Sequence, residues 1–263
     1  MLKCIFNLQK NTVISGDFHD EKLSKFSYWK NRYKYRNKDV FEWFLEPGEI
    51  VEPILNNIAH IQAQHSVGKT NSFLRYIDIG CGLSDLSLHV LIHCPRPLSA
   101  AMVDFVSEAL QYQNKRMQEY QQMVQLNSES TLHLICADVL CLPFRAGEFD
   151  VAIDKGTMDA LLKDKGQGHF KSGLLMAEVT RLLSPGGRYL QISDEDPDSR
   201  LLFLESISNT KRAAWNCGKR VEETHEESMC GAAPDFHKLS SWNFKSIQLK
   251  FGSEYFLYWA ERV

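Results

Sequence analysis

The sequence predicts an α/β fold: a doubly wound, mostly parallel sheet of seven strands with an antiparallel terminal strand. Three observations predict it. From residue 73 onward, short apolar runs alternate with longer stretches of helical periodicity, and strands alternating with helices at this spacing specify parallel pairing through right-handed crossovers. The first apolar run ends in "DIGCG", which puts Gly80 and Gly82 where a strand hands over to a helix. Glycine reaches positive φ cheaply and lets another group approach the backbone closely, so a strand, a glycine turn and a helix N-terminus together describe a nucleotide site. Lastly, an acid closes each of the first four strands: Asp78, Asp104, Asp138 and Asp154.

Each element follows from local chemistry. "FLEPGEIVEPILNNIAHIQAQH" spaces Ile50, Ile54, Ile58 and Ile61 as one face of a helix, and the polar "SVGKTNS" ends it. "FLRYIDIG" reads as the first strand, and "LSDLSLHVLIHC" as a helix stopped by Pro95 and Pro97. "LSAAMVDF" is the second strand, "SEALQYQNKRMQEYQQMVQL" a long helix and "TLHLICADV" the third strand. The loop "LCLPFRAGE" leads into a fourth, "FDVAIDKG". "TMDALLK" and "FKSGLLMAEVTRLL" read as helices, and the "SPGG" turn opens a fifth strand, "GRYLQIS". Near the end, "FKSIQLKF" and "EYFLYWAERV" alternate as a closing hairpin across "GSE".

Length and composition set bounds. The 263 residues are enough for one sizeable domain with an extension or for two small domains, and the chain divides as an N-terminal segment 1–21, a candidate targeting peptide by its composition, a lid and helix 22–66 and a main domain 67–263. A net charge of −3 argues against bulk nucleic-acid binding. No apolar stretch reaches the roughly 18 residues that cross a bilayer. The 7 cysteines show no paired metal spacing and suit a reducing compartment, so no metal is expected. Residues 1–16 carry Lys3 and Lys10 without an acid, compatible with an organelle-targeting segment but without the arginines typical of one. In "KLSKFSYWKNRYKYRNK" the basic residues interleave with Phe26, Tyr28, Trp29, Tyr33 and Tyr35, which suits either a solvated face or a lid over a ligand.

The acids decide the ligand. A dinucleotide site prefers G-x-G-x-x-G around a pyrophosphate, but the third position after Gly82 is Asp85. An adenosyl ligand without phosphate tolerates that acid, and S-adenosylmethionine is one: a sulfonium cation with an amino-acid tail, a ribose and an adenine. Asp104 is placed for the ribose hydroxyls, Phe105 beside the adenine, Asp138 for the adenine amine with Val139 lending its backbone, and Asp78 to orient the turn or meet the amino group.

"DIGCG", "VDF", "CADV" and "LSPGGRYLQIS" resemble the class I, seven-strand S-adenosylmethionine-dependent methyltransferases over about residues 74–193. "YWKNRY", "FEWF" and "DKGTMDAL" resemble the protein-lysine methyltransferases that include enzymes acting on translation elongation factors. "QISDEDPDSRLLFLE" with "FEWF" is most similar to the mitochondrial citrate synthase-lysine methyltransferases, a likeness that covers about residues 26–263 and is poor over 209–237. The resemblance implies a Rossmann-like methyltransferase that acts on a lysine of citrate synthase in the mitochondrial matrix and releases S-adenosylhomocysteine. It implies Trp29 and Tyr33 over the cofactor, Gly80, Cys81 and Gly82 as the cofactor turn, and Asp154 with Lys155 at the mouth.

Methyl transfer to lysine asks mainly for alignment of a neutral amine with the methyl group. Asp154, Trp43, Phe44 and the acidic loop Ser193 to Asp198 are candidates to line the acceptor channel. The bland reading of that loop is a solvated turn in which Asp198 caps the next helix. Two other functions fit the same residues: a lysine methyltransferase acting on an elongation factor, and a non-catalytic module that binds S-adenosylmethionine.

Overall fold

The computed structural model describes residues 21–35, 42–65, 73–124, 127–208, 242–249 and 254–263. The possible targeting segment, the "SVGKTNS" linker, the tail of the basic run and the stretch 209–237 lie outside them. A short 3-10 turn, Glu21–Ser24, leads into α1 (Phe26–Tyr35), a helix absent from the sequence expectations. Then follow α2 (Pro47–His65), β1 (Leu74–Ile79), α3 (Leu86–His93), β2 (Leu98–Asp104), α4 (Ser107–Met123), β3 (Thr131–Cys136) and β4 (Phe149–Lys155). The chain continues through α5 (Thr157–Leu162), α6 (Gly168–Leu182), β5 (Leu183–Ser193), α7 (Pro197–Ser208), β6 (Lys245–Gln248) and β7 (Phe256–Glu261).

The strands form one seven-stranded sheet in the order β3-β2-β1-β4-β5-β7-β6. β1 to β5 pair in parallel, and β7 runs antiparallel to both β5 and β6. The reversed strand is the last in the chain, as expected, but it lies inside the sheet rather than at its edge. The order changes direction between β1 and β4, where a doubly wound sheet opens its crevice. β5 begins four residues before its expected start at Gly187, and the register shifts between Phe149 and Val151 take up the "SPGG" insertion.

Two apolar layers flank the sheet. On one face α2 and α3 cover Tyr76, Val151, Ile153, Leu190, Ile192 and Leu257. The four isoleucines of α2 are buried there as their spacing predicts, and at about 1.5–3 kcal/mol each they contribute on the order of 6–12 kcal/mol of gross burial energy. On the other face α6 and α7 cover Ile77, Ile79, Ala152, Tyr189 and Tyr258. Period-2 alternation therefore assigns every sheet residue to one layer, which governs where the strand-end side chains point. α7 begins one residue before Asp198, and its first turn is closed by Asp196: Asp198 N–H donates to Asp196 Oδ1 at 2.8 Å and Arg200 N–H to the Asp196 carbonyl at 2.8 Å. The capping role expected of Asp198 thus belongs to Asp196.

Candidate active site

The glycine turn after β1 is held from three sides. Gly80 and Gly82 have φ of +72° and +52°, a region costly for residues with a Cβ. A Cβ on Gly80 would lie 2.1 Å from Thr157 Oγ1, and one on Gly82 would lie 3.0 Å from the Tyr33 hydroxyl. The chain's own side chains therefore fill the space both glycines leave. Thr157 Oγ1 donates to the Ile79 carbonyl at 2.7 Å and so ties α5 to the turn. Gln113 of α4 donates from Nε2 to the carbonyls of Gly82 at 3.0 Å and Ser84 at 2.9 Å. Cys81, buried, sends its N–H to the Val103 carbonyl at 2.9 Å.

Asp104 ends β2 beside this turn. Its Oδ2 accepts Gly82 N–H at 3.0 Å and its Oδ1 accepts Val106 N–H at 2.8 Å. Burial pushes the carboxyl up to about 6, against the pull of those two amides. Asp78 lies deeper and accepts the Ser87 hydroxyl at 2.5 Å; burial pushes it up to about 7, against the Ser87 bond and the positive charge of Lys155. Asp85, the residue that argued against a pyrophosphate, points away to Arg116 of α4 in a salt bridge that Tyr120 joins at 3.2 Å. At the β3 end Asp138 is exposed, accepting Leu140 N–H at 2.9 Å, while Val139 is buried. Phe105 is half-buried and meets Phe26 edge-on at 5.2 Å.

The aromatic residues of α1 and the segment after it form a roof. The Trp29 indole N–H donates to the Leu23 carbonyl at 2.7 Å, and its ring lies 5.5 Å from Tyr33 and 5.8 Å from Trp43. Tyr33 is buried over Gly82; burial first, then Asp104, push its phenol well up. Trp43 rests on Gly156, whose φ is +83° and whose Cβ would come within 2.9 Å of the indole. Phe44 carries the one positive φ of a non-glycine residue among the described residues, +64°, and its ring lies beside that of Trp43 over Gly156. The roof is pinned by Glu42, whose carboxylate pairs with Lys155; both side chains are almost fully buried. Burial raises the Glu42 carboxyl, with Lys155 opposing.

Lys155 and Asp154 were expected side by side at the mouth, and the structure separates them. Lys155 follows Val151 and Ile153 onto the face under the roof. Asp154 turns to the opposite face and is fully buried. It accepts Thr157 N–H at 2.8 Å, Met158 N–H at 3.2 Å and the Tyr189 hydroxyl at 2.9 Å. It therefore anchors the start of α5 beneath the floor and does not reach the acceptor channel. Next to it Asp159 takes the Ser193 hydroxyl at 2.7 Å and pairs with buried Arg200.

The structure thus gathers Trp29, Tyr33, Gly80, Cys81, Gly82 and Asp104 around one turn, with Asp78 and Lys155 behind it and Trp43 and Phe44 above Gly156. Three participants were not anticipated. Thr157 could have been found as the first helical residue after a glycine that must be left-handed. Gln113 carries no sequence signal, because a lone amide on a helix usually faces water, and Glu42, though inside "FEWF", carries none for a buried ion pair.

The residues suit an adenosyl sulfonium. Asp104 gives one amide contact to each oxygen, and a carboxylate offers about four lone-pair sites, so capacity remains for two ribose hydroxyls. Two carboxyls held near neutrality by burial gain from an arriving cation. Among the described residues no group of three or more His, Cys, Asp or Glu could hold a metal ion.

Comparison with known proteins gives the same direction. Residues 70–252 match the model of a methyltransferase domain. The chain is 34% identical over 174 residues to a human mitochondrial citrate synthase-lysine N-methyltransferase, covering 64% of this chain and 68% of that one. Its Danio rerio counterpart is 31% identical over 68% of each chain. An eEF1A lysine and N-terminal methyltransferase of Mus musculus is 26% identical over 80% of this chain and 26% of its own length. Among solved structures, the N-methyltransferase NodS of Bradyrhizobium japonicum in complex with S-adenosyl-L-homocysteine superposes with a TM-score of 0.52. It is 12% identical and covers 89% of this chain and 98% of that one, a likeness of fold alone.

Proposed function

The chain belongs to the methyltransferase-domain family as an S-adenosylmethionine-dependent protein-lysine methyltransferase, and from that premise we propose that its acceptor is a lysine of citrate synthase and that it works in mitochondria. The observation that carries the choice is the identity of 34% and 31% to two enzymes named for citrate synthase, against 24–28% to those named for eEF1A.

When bound, S-adenosylmethionine supplies an electrophilic methyl group. In this reading Asp104 holds the ribose, Asp78 and the turn Gly80 to Gly82 hold the amino-acid end, and Asp138 with Val139 and Phe105 hold the adenine. Trp29 and Tyr33 close the roof and exclude water. Lys155 keeps Glu42, and with it Trp43, in place. Because the positive charge only moves from sulfur to nitrogen, positioning dominates, and good alignment is worth up to about 7–11 kcal/mol. The incoming lysine has a pKa near 10.4 in water. Aromatic walls lower it by desolvation, since burial disfavours the charged form, and a neutral amine can then attack.

The test is transfer of labelled methyl from S-adenosylmethionine to purified citrate synthase by the wild-type chain and by Asp104→Ala. Label on citrate synthase with wild type, and at least a hundredfold less with the variant, is the expected result. Label on eEF1A and none on citrate synthase overturns the choice of acceptor. Equal label from both proteins overturns the role of Asp104.

A further inference from the structure

The carboxyl ends of β4 and β5 and the adjoining amino end of β7 carry a row of side chains that the cofactor residues do not use. Trp43 rests on Gly156 at the end of β4. Phe44 follows edge-on at 5.6 Å, and Tyr255 lies 5.7 Å beyond Phe44. Tyr255 precedes Phe256, which pairs with Ser193 in the antiparallel ladder of β5 and β7. Continuing that register sets Asp194 directly across from Tyr255. By alternation, Asp194 shares its face with Leu190 and Ile192, and Tyr255 shares the same face with Leu257. By that extension of the ladder, Asp194 follows Ile192 on the roofed face, across from Tyr255.

The turn that carries it is rigidly built. Glu195 N–H donates to Ser193 Oγ at 3.1 Å, and the Tyr258 hydroxyl donates to the Glu195 carbonyl at 2.6 Å. Ser193 in turn donates to Asp159, which pairs with buried Arg200. The backbone on both sides of Asp194 is thus fixed from beneath, while Asp194 itself is exposed. Partial burial and then Asp159 push that carboxyl up, Lys163 pulls it down, and Glu195 adds a smaller upward push. Burial and then Asp194 raise the phenol of Tyr255.

We propose that Asp194 and Tyr255 form the acceptor end of the site, Tyr255 walling the path of the incoming lysine side chain and the Asp194 carboxylate receiving its ammonium. This rests on the lysine-methyltransferase assignment and not on which protein supplies the lysine. The ammonium gives one proton to the carboxylate, which passes it to solvent. The freed nitrogen lone pair then forms the new N–C bond as the C–S bond breaks, and sulfur keeps that electron pair. The products are a methylated ammonium and a neutral thioether. Asp194 is a catalytic residue for this step and a determinant of amine over alcohol or apolar acceptors.

Two probes test it. Both are S-adenosylhomocysteine analogues with nitrogen in place of sulfur, one bearing a 4-aminobutyl tail and the other an n-butyl tail. Calorimetry at neutral pH is expected to show wild type binding the charged tail about tenfold more tightly than the apolar one. Asp194→Asn is expected to erase that preference, Asp194→Glu to keep most of it, and Tyr255→Ala to weaken both tails alike. S-adenosylhomocysteine itself is expected to bind all four proteins equally, a readout that a folding defect would move. An unchanged preference in Asp194→Asn, or none in wild type, overturns the acceptor assignment and leaves the cofactor site standing. Failure of S-adenosylhomocysteine to bind wild type overturns both.

Discussion

Replacing Gly80 by alanine separates two explanations of the glycine turn: room for a ligand, or room for Thr157. A Cβ at Gly80 would sit 2.1 Å from Thr157 Oγ1 and 3.1 Å from both Thr157 Cβ and Cγ2, so rotating the threonine does not relieve the clash. Alanine must also adopt a φ of +72°. Left-handed backbone costs about 1–2 kcal/mol, the bond from Thr157 to Ile79 is worth about 1, and overpacking adds about 1–3. Gly80→Ala should therefore cost about 3–6 kcal/mol. Thr157→Ala alone should cost about 1–2, from the same lost bond and a small void. In the double variant the 2.1 Å clash is gone and the bond is already lost, so beyond the 3.1 Å contact with the remaining Cβ of residue 157 the alanine adds only its backbone term. Urea unfolding of the four proteins should show a coupling of about 2 kcal/mol or more, at the upper end of what contacting residues give. Additive costs within about 0.5 kcal/mol would refute the packing explanation.

The remaining predictions concern charge. Asp78 and Asp104, raised to about 7 and about 6, keep protons in the folded state that the unfolded chain, with aspartates near 3.9, has lost. Their contribution is thus most stabilising below pH 4 and is lost as pH rises through 6 and 7; thermal midpoints of the cofactor-free protein should fall across that window. Binding of the S-adenosylmethionine cation runs the other way and should tighten several-fold from pH 5.5 to 7.5, by calorimetry, and a flat profile would show that neither carboxyl meets the ligand. Glu42→Gln or Lys155→Met leaves one buried charge alone and should cost about 3–5 kcal/mol, whereas Glu42→Leu combined with Lys155→Met should recover most of it in urea titrations. Single and double variants of equal stability would show that the pair is not buried in solution.

The sheet was legible because its signals are local and periodic. Apolar runs, proline stops and the isoleucine spacing of α2 each specify an element without knowledge of the others. The turn was legible as a turn, but the reason for its glycines was not, since Thr157 lies 77 positions away in the chain. α1 was hidden because its residues are aromatic and basic, poor in the apolar periodicity that marks a helix, and its two buried rings, Trp29 and Tyr33, are covered by tertiary partners as well as by each other. The misplacement of Asp154 was avoidable: a residue between Ile153 and Lys155 in a strand must face away from Lys155.

That alternation has a consequence for which changes β4 can accept. Losing or gaining a single residue within it would bring Asp154 round to Glu42, and Lys155 round to the neighbourhood of Arg200. Each newcomer would meet a charge of its own sign in a dry interior, where no counterion can follow. Substitutions along this strand can be judged one by one, but its length is fixed electrostatically from above and below.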